Sequence, residues 1–446
     1  MTQHSLLTGA LALALIGAGG RPAGAQATET GSSRPYGGLF GGRGAGSDSR
    51  QSLSFTVSLA EGYNDDTSPQ LGSLVDPSAG QAGGLQTMVV ANGSYAWRGA
   101  SGQFAVNSAS ALAYYNDLSA TRNLSHSIGI GFNARLSQKT SLLVNQSAAY
   151  SPSYLYGLFP SDSTVDPGDG VPAAPEYAVQ TQDTYSYSTS LGLSHSLTRR
   201  NKLSLSGDYS YTDYLHESDT HRDLRVASFR GHFSRNVKRN TVVSLGYRFR
   251  TGDVGFVPDS TTEHGVEVSF DHNRPLSATR RAFFGLRLGS SAVELPPSAS
   301  LLLSATGRRY LVDGQLSAGY QFSQGWQTRA LYRRGMEYVP ALTEPVFTDG
   351  VTASIDGAIT RRLDLTISGA YSNGESVFQG TSAFDSYNGD VRVRYALNRT
   401  LATYVQYLYY FYDFGGNTQL AGGMAPRLER NAVRAGFMLW LPVVQR

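Results

Sequence analysis

The residues best placed to do chemistry are arginines that alternate with apolar or aromatic neighbours. Arg248 and Arg250 alternate with Tyr247 and Phe249, Arg287 lies between Leu286 and Leu288, and Arg329 and Arg333 alternate with Thr328, Ala330 and Tyr332. Arg392 and Arg394 separate Val391, Val393 and Tyr395, while Arg430 and Arg434 oppose the face of Val433, Phe437 and Leu439. On an extended chain successive side chains point to opposite faces, so each set of arginines shares a face that its apolar neighbours avoid. Guanidinium groups lining a narrow passage would attract phosphate, sulfate or uronate groups and bind them bidentately. The competing reading pairs the arginines with carboxylates of the same face, such as Asp208, Glu267, Asp364 and Asp390, and leaves that face nearly neutral.

Other chemistry is sparse. No Gly-x-Ser-x-Gly elbow is present. The run His216-Glu217-Ser218-Asp219-Thr220-His221 matches no established metal-ligand spacing and reads as a solvated loop. His126 and His195 lie among the apolar positions of their segments, the wrong face for a general base working in water. The absence of Cys excludes a disulfide framework and a Cys-ligated metal. No metal site, cofactor or enzymatic activity is expected, although a Ser-His pair assembled across strands would make the protein a hydrolase.

The elements that must hold the arginines have a period of two. From Thr184 to Leu215, Tyr185, Tyr187, Leu191, Leu193 and Leu197 alternate with Ser and Thr, a polar turn Thr198-Arg199-Arg200-Asn201 follows, and Leu203, Leu205, Tyr209 and Tyr211 resume the alternation. Each arm outruns the roughly five or six residues of a typical soluble strand. The unit repeats. Short turns recur at 99–102, 137–140, 198–201, 238–240, 274–280, 323–325, 360–362 and 398–400. Mostly longer connections separate them, near 62–84, 155–181, 251–262, 291–306, 373–383 and 413–428, with shorter ones near 116–122 and 216–221.

Short turns on one side and longer loops on the other are the signature of an outer-membrane barrel, with the short turns periplasmic. The fold expected is all-β: a transmembrane antiparallel up-and-down barrel of about eighteen strands, with sixteen as the alternative count. At residues 222–236 Leu224 and Val226 fall on one parity and Phe229 and Phe233 on the other, which predicts a β-bulge. Tyr95, Tyr114, Tyr150, Tyr187, Tyr211, Tyr371 and Tyr409 would form girdles at the membrane interfaces. Those of opposite parity, Tyr115, Tyr214, Tyr404 and Tyr410, would stack against sugar rings inside.

Composition agrees with a barrel. Among 446 residues there are 50 Gly and 27 Tyr, charged residues make up 16%, and mean hydropathy is -0.25. A barrel places its apolar groups at alternate positions, so a low mean hydropathy does not argue against a membrane. A net charge of +3 gives no reason to expect nucleic acid. Leu6 to Ile16 is a short apolar core followed by small residues at Ala23-Gly24-Ala25 and Ala25-Gln26-Ala27, so residues 1–27 read as a secretory signal peptide. Residues 28–50, rich in Gly, Ser and Arg, read as a flexible periplasmic leader, and 51–446 as the barrel.

The turns share a pattern: Leu136-Ser-Gln-Lys-Thr-Ser-Leu142, Leu197-Thr-Arg-Arg-Asn-Lys-Leu203, Ile359-Thr-Arg-Arg-Leu-Asp-Leu365 and Leu397-Asn-Arg-Thr-Leu401, with Tyr150, Tyr209, Tyr371 and Tyr407 on the strands that follow. This repeat resembles the β-barrel porin type 2 group over most of residues 51–446. The resemblance implies an outer-membrane channel of a Gram-negative bacterium, often accompanying exopolysaccharide secretion. The final strand resembles the signal read by the barrel assembly machinery, but continues Pro442-Val443-Val444-Gln445-Arg446 where a terminal aromatic is usual. In general porins the third external loop folds inward. By analogy Asp162, Asp166, Asp169 and Glu176 would face the arginines across a constriction, the alternative being a solvated loop.

Expected partners are therefore outer-membrane lipid, the assembly machinery, an anionic solute or polysaccharide, and polysaccharide secretion components. Two further classes stay open beside a passive channel: a structural or adhesive barrel with a closed lumen, and a barrel hydrolase.

Overall fold

The computed structural model describes residues 50–65, 84–115, 122–151, 184–214, 223–253, 260–277, 279–294, 308–323, 325–339, 342, 345–377, 382–414 and 427–445. The expected signal peptide and most of the leader lie outside the described residues. In chain order the strands are β1 Gln51–Asn64, β2 Gly84–Arg98, β3 Gly102–Tyr115, β4 Arg122–Arg135, β5 Thr140–Ser151 and β6 Thr184–Ser196. There follow β7 Asn201–Tyr214, β8 Leu224–Lys238, β9 Thr241–Asp253, β10 Thr261–Pro275, β11 Arg281–Glu294 and β12 Arg308–Ser323. The last six are β13 Trp326–Glu337, β14 Val346–Ala358, β15 Leu363–Ser376, β16 Ser382–Ala396, β17 Leu401–Phe414 and β18 Arg427–Gln445. Each strand pairs antiparallel with its sequence neighbours, and β18 pairs with β1, which closes an 18-stranded barrel. Closure removes the open edges that a sheet of this size would otherwise expose.

Alternation decides which face meets which medium. Leu191, Leu193, Leu203, Leu205, Phe229, Leu245, Val266, Leu288, Val391, Val405 and Phe437 are all exposed on the outer face. The same strands bury Ser244, Glu263, Glu267, Arg394 and Arg434 on the inner face. A belt of bare apolar side chains around a polar interior is stable in hydrocarbon and costly in water. Toward the long-connection end tyrosines pair across strands: Tyr150 with Tyr185 at a centroid distance of 5.3 Å, Tyr187 with Tyr211 at 6.3 Å, and Tyr371 with Tyr387 at 4.9 Å.

The short turns are built alike. In five of them an exposed Leu or Ile comes first and a Ser, Thr or Asn second, and the second side chain accepts the backbone N–H groups two and three residues on. Thr198 Oγ1 accepts from Arg200 N at 3.2 Å and Asn201 N at 3.0 Å. Asn398 Oδ1 accepts from Thr400 N and Leu401 N, both at 2.8 Å. Ser137, Ser277 and Thr360 repeat the pattern. Such side chains mimic a backbone turn and fix its conformation.

One local expectation is corrected. The β7–β8 register runs without a shift from Thr212↔Leu224 to Asn201↔Arg235, and the only irregularity of β8 lies between Asn236 and Lys238. Leu224 and Val226 therefore share the inner parity with Arg230 and His232. They occupy the outermost positions of a 15-residue strand. The hydrocarbon is crossed in about 9–11 residues, so beyond it lipid no longer dictates which parity is apolar.

Candidate functional site

The inner face of β8 to β12 carries a network of buried charges. Arg248 Nη2 lies 2.7 Å from Glu263 Oε1 and 3.0 Å from Asp313 Oδ2, and Arg248 Nη1 lies 3.7 Å from Glu267 Oε2. Glu267 also binds His232 and lies 3.8 Å from Arg287 Nε. Arg250 Nε lies 3.7 Å from Glu263 Oε2. Glu263 and Glu267 are almost fully buried, so removing their cations would leave charge in a medium that screens it poorly. His232 reaches Glu267 across Gly246, where a Cβ would come within 2.4 Å of the imidazole.

The adjoining wall, β13 to β18, is less evenly matched. Arg394 grips Asp364 through Nε at 2.8 Å and Nη2 at 2.5 Å. Asp390 accepts from Gln406, whose Oε1 in turn accepts from Arg434 Nε at 2.9 Å. Arg333 pairs with Glu337, and Arg329 donates to Gln327 at 3.3 Å. From β13 to β18 the inner parity carries six arginines (Arg329, Arg333, Arg392, Arg394, Arg430, Arg434) against four carboxylates (Glu337, Asp356, Asp364, Asp390). Arg430, Arg434, Asp390, Asn388, Gln86 and Tyr410 line a recess of about 70 Å³ in this wall. The inner-face tyrosines Tyr404 and Tyr410 are buried, while the side chains of Tyr115 and Tyr214 lie outside those described.

The barrel is narrowed from one side. The β12–β13 ladder stops at Gly314↔Arg334, although β12 continues to Arg308 on its β11 side and β13 continues to Glu337 on its β14 side. Above that point the β13–β14 hairpin leaves the wall and bends inward. Its alternation of exposed and covered residues ends there, with Gly335, Met336, Val346, Phe347 and Thr348 all buried. Met336 and Phe347, whose parity faces outward lower down, pack with Val293, Val377, Leu311 and Tyr338. One arginine holds the tip by a backbone oxygen, and a second holds Val377, the residue after β15 that packs on the tip and donates its N–H to Pro345 O at 3.1 Å. Arg250 Nη1 donates to Met336 O at 2.5 Å, and Arg309 Nη1 to Val377 O at 2.6 Å. The Tyr338 ring lies so close over Gly252 that a Cβ there would meet it at 2.4 Å. Where the hairpin has left, no described strand covers the free side of β12, and Tyr310 and Val312 are 73% and 67% exposed.

The fold is that of an outer-membrane-type β-barrel. No family model matches the chain, and no curated protein matches it. Among solved structures, OccK11 (OpdR) of Pseudomonas aeruginosa is similar at 11% identity, covering 93% of this chain and 99% of that one, with a TM-score of 0.41. OccAB2 of Acinetobacter baumannii is similar at 9% identity, with coverage of 88% and 98% and a TM-score of 0.43. The open form of Fiu, the ferric-catecholate import receptor of E. coli K12, gives 8% identity, coverage of 88% and 82%, and a TM-score of 0.40.

The expected constriction acids Asp162, Asp166, Asp169 and Glu176 lie outside the described residues, as does the His216 to His221 run. Among the described residues the inward element is the β13–β14 tip, which the sequence reading passed over. Its connection, Tyr338-Val-Pro-Ala-Leu-Thr-Glu-Pro345, is apolar, but so is the stretch 295–307, and sequence alone does not single it out. Arg230, His232, Glu263, Arg309 and Asp313 were missed as well, because their neighbours are not uniformly apolar. His126 and His195 lie on the outer parity, each bound through Nδ1 at 2.9 Å to a hydroxyl of the preceding strand, Ser110 and Thr140. His264 and His272 do the same with Tyr247 and Thr241, so the pairing serves to satisfy polar atoms on the lipid face. Among the described residues no three metal-ligating side chains converge.

Proposed function

We propose that this chain is a passive channel of the Gram-negative outer membrane for small hydrophilic solutes, with a preference for anions. One observation carries the reading: a closed wall with an apolar outer belt and a charged inner face is narrowed by the folded-in β13–β14 tip. A tip held against a charged wall makes an eyelet whose lining replaces part of a solute's hydration shell. The preference for anions rests on the excess of arginines from β13 to β18, with Arg392, Arg430 and Arg434 beside the recess or the pore, while Arg248, Arg250 and Arg287 are occupied by carboxylates. Reconstitution in a planar bilayer tests it. Discrete conductance with anion-biased reversal potential is expected, and a silent, correctly folded barrel would favour the closed structural or adhesive reading. Export of a polysaccharide rests on the turn resemblance alone and would require the tip to leave the lumen. Lipid hydrolysis by the purified protein would establish the enzymatic reading.

A further inference from the structure

Charge is divided between the two ends of the barrel. The nine connections at the long end contain fourteen Asp or Glu and a single cation, Arg222, whereas the eight short turns contain eight Lys or Arg and no carboxylate. These cations are held in a repeated frame. Leu136, Leu197, Leu276, Ile359 and Leu397 open their turns and are exposed on the outer face, continuing the lipid belt to its edge. The capping Ser, Thr or Asn follows, and the basic residue comes two to four positions after the apolar one: Lys139, Arg199 and Arg200, Arg280, Arg362 and Arg399 among them. Among the described residues none of these six forms an ion pair with a carboxylate.

We propose that these turns dock the phosphate groups of anionic phospholipid in the membrane leaflet at the short-turn end. The apolar residue is seated in hydrocarbon, so the basic group just beyond it falls at headgroup depth, where a cation meets lipid phosphate. Distribution decides against a macromolecule. A protein or polymer seated at the mouth would meet one arc of the rim, whereas this turn recurs after β4, β6, β10, β14 and β16, all round the barrel. An annulus of lipid presents that distribution. The inference rests on the membrane reading above, which supplies the bilayer and the depth.

Full-length protein would be reconstituted in vesicles of phosphatidylethanolamine with a minor fraction of phosphatidylglycerol, and the lipids it retains identified by native mass spectrometry. Each surface cation raises the local concentration of anionic headgroups by about fivefold, so retained phosphatidylglycerol should exceed its bulk share severalfold. Two variants guard against misfolding: one with Arg199→Gln, Arg200→Gln and Arg362→Gln, the other with Lys139→Gln, Arg280→Gln and Arg399→Gln. Each should lower the enrichment, and Arg→Lys replacements should keep it. Retention at the bulk ratio by the wild type, or enrichment unchanged in both neutral variants, would overturn the inference. So would tight retention of soluble polygalacturonate without lipid enrichment, which would assign the rim to a polymer. Conductance of the wild type in the same lipids separates the two readings: a conducting barrel without enrichment defeats only the docking, and a silent barrel with enrichment defeats only the channel.

Discussion

Arg250 and Met336 stand on strands four apart in the barrel wall, yet Arg250 Nη1 lies 2.5 Å from the Met336 carbonyl oxygen. The wall alone cannot bring them together. The contact exists because β13 parts from β12 above Arg334 and carries the hairpin tip across the interior. The narrowing of the lumen therefore hangs on a few contacts between the tip and the inner faces of β9 to β12.

Replacing Arg250 by Gln removes a charge-assisted bond worth about 1.5–3 kcal/mol and loosens the tip. Single-channel recordings should show larger conductance and more open-channel noise. A trace indistinguishable from wild type would mean that the apolar contacts of Met336 and Phe347 suffice to hold it.

Gly252 tests the same contact without altering charge. Gly252→Val puts carbon where the Tyr338 ring lies and should displace the tip, again raising conductance. Adding Tyr338→Ala should make room for the new side chain. The double variant is expected to return toward the wild-type conductance, and equal conductance in both variants would place the cause elsewhere.

Arg248 is the hub of the buried network. Arg248→Met leaves Glu263, Glu267 and Asp313 short of a cation, at a cost of about 3–5 kcal/mol. Urea unfolding in detergent micelles, followed by gel mobility, should show the midpoint fall clearly. A variant as stable as wild type would show that water or relaxation compensates the carboxylates.

Selectivity should follow the β13 to β18 wall. Arg392→Gln and Arg430→Gln together are expected to move the reversal potential in a salt gradient toward cations. The shift should be larger at low salt, because the screening length grows as ions become few. Unchanged selectivity would show that these guanidinium groups are neutralised where they stand.

Much of the barrel was legible in the sequence because a strand between lipid and water must alternate residue by residue. That constraint is local, so Leu191 and Ser190, or Val393 and Arg392, declare their faces without any partner, and turn lengths declare the two ends. The strand number and the turns followed from it. Leu224 and Val226 misled because they lie beyond the hydrocarbon, where the rule lapses. What only tertiary structure decided are the long-range relations: Arg248 with Asp313, Arg309 with Val377, Tyr338 over Gly252. Curvature of the wall and the inward fold of the β13–β14 tip bring together residues of strands that are not neighbours. A pattern with a period of two names the face a side chain occupies, but it carries no information about the partner it meets there.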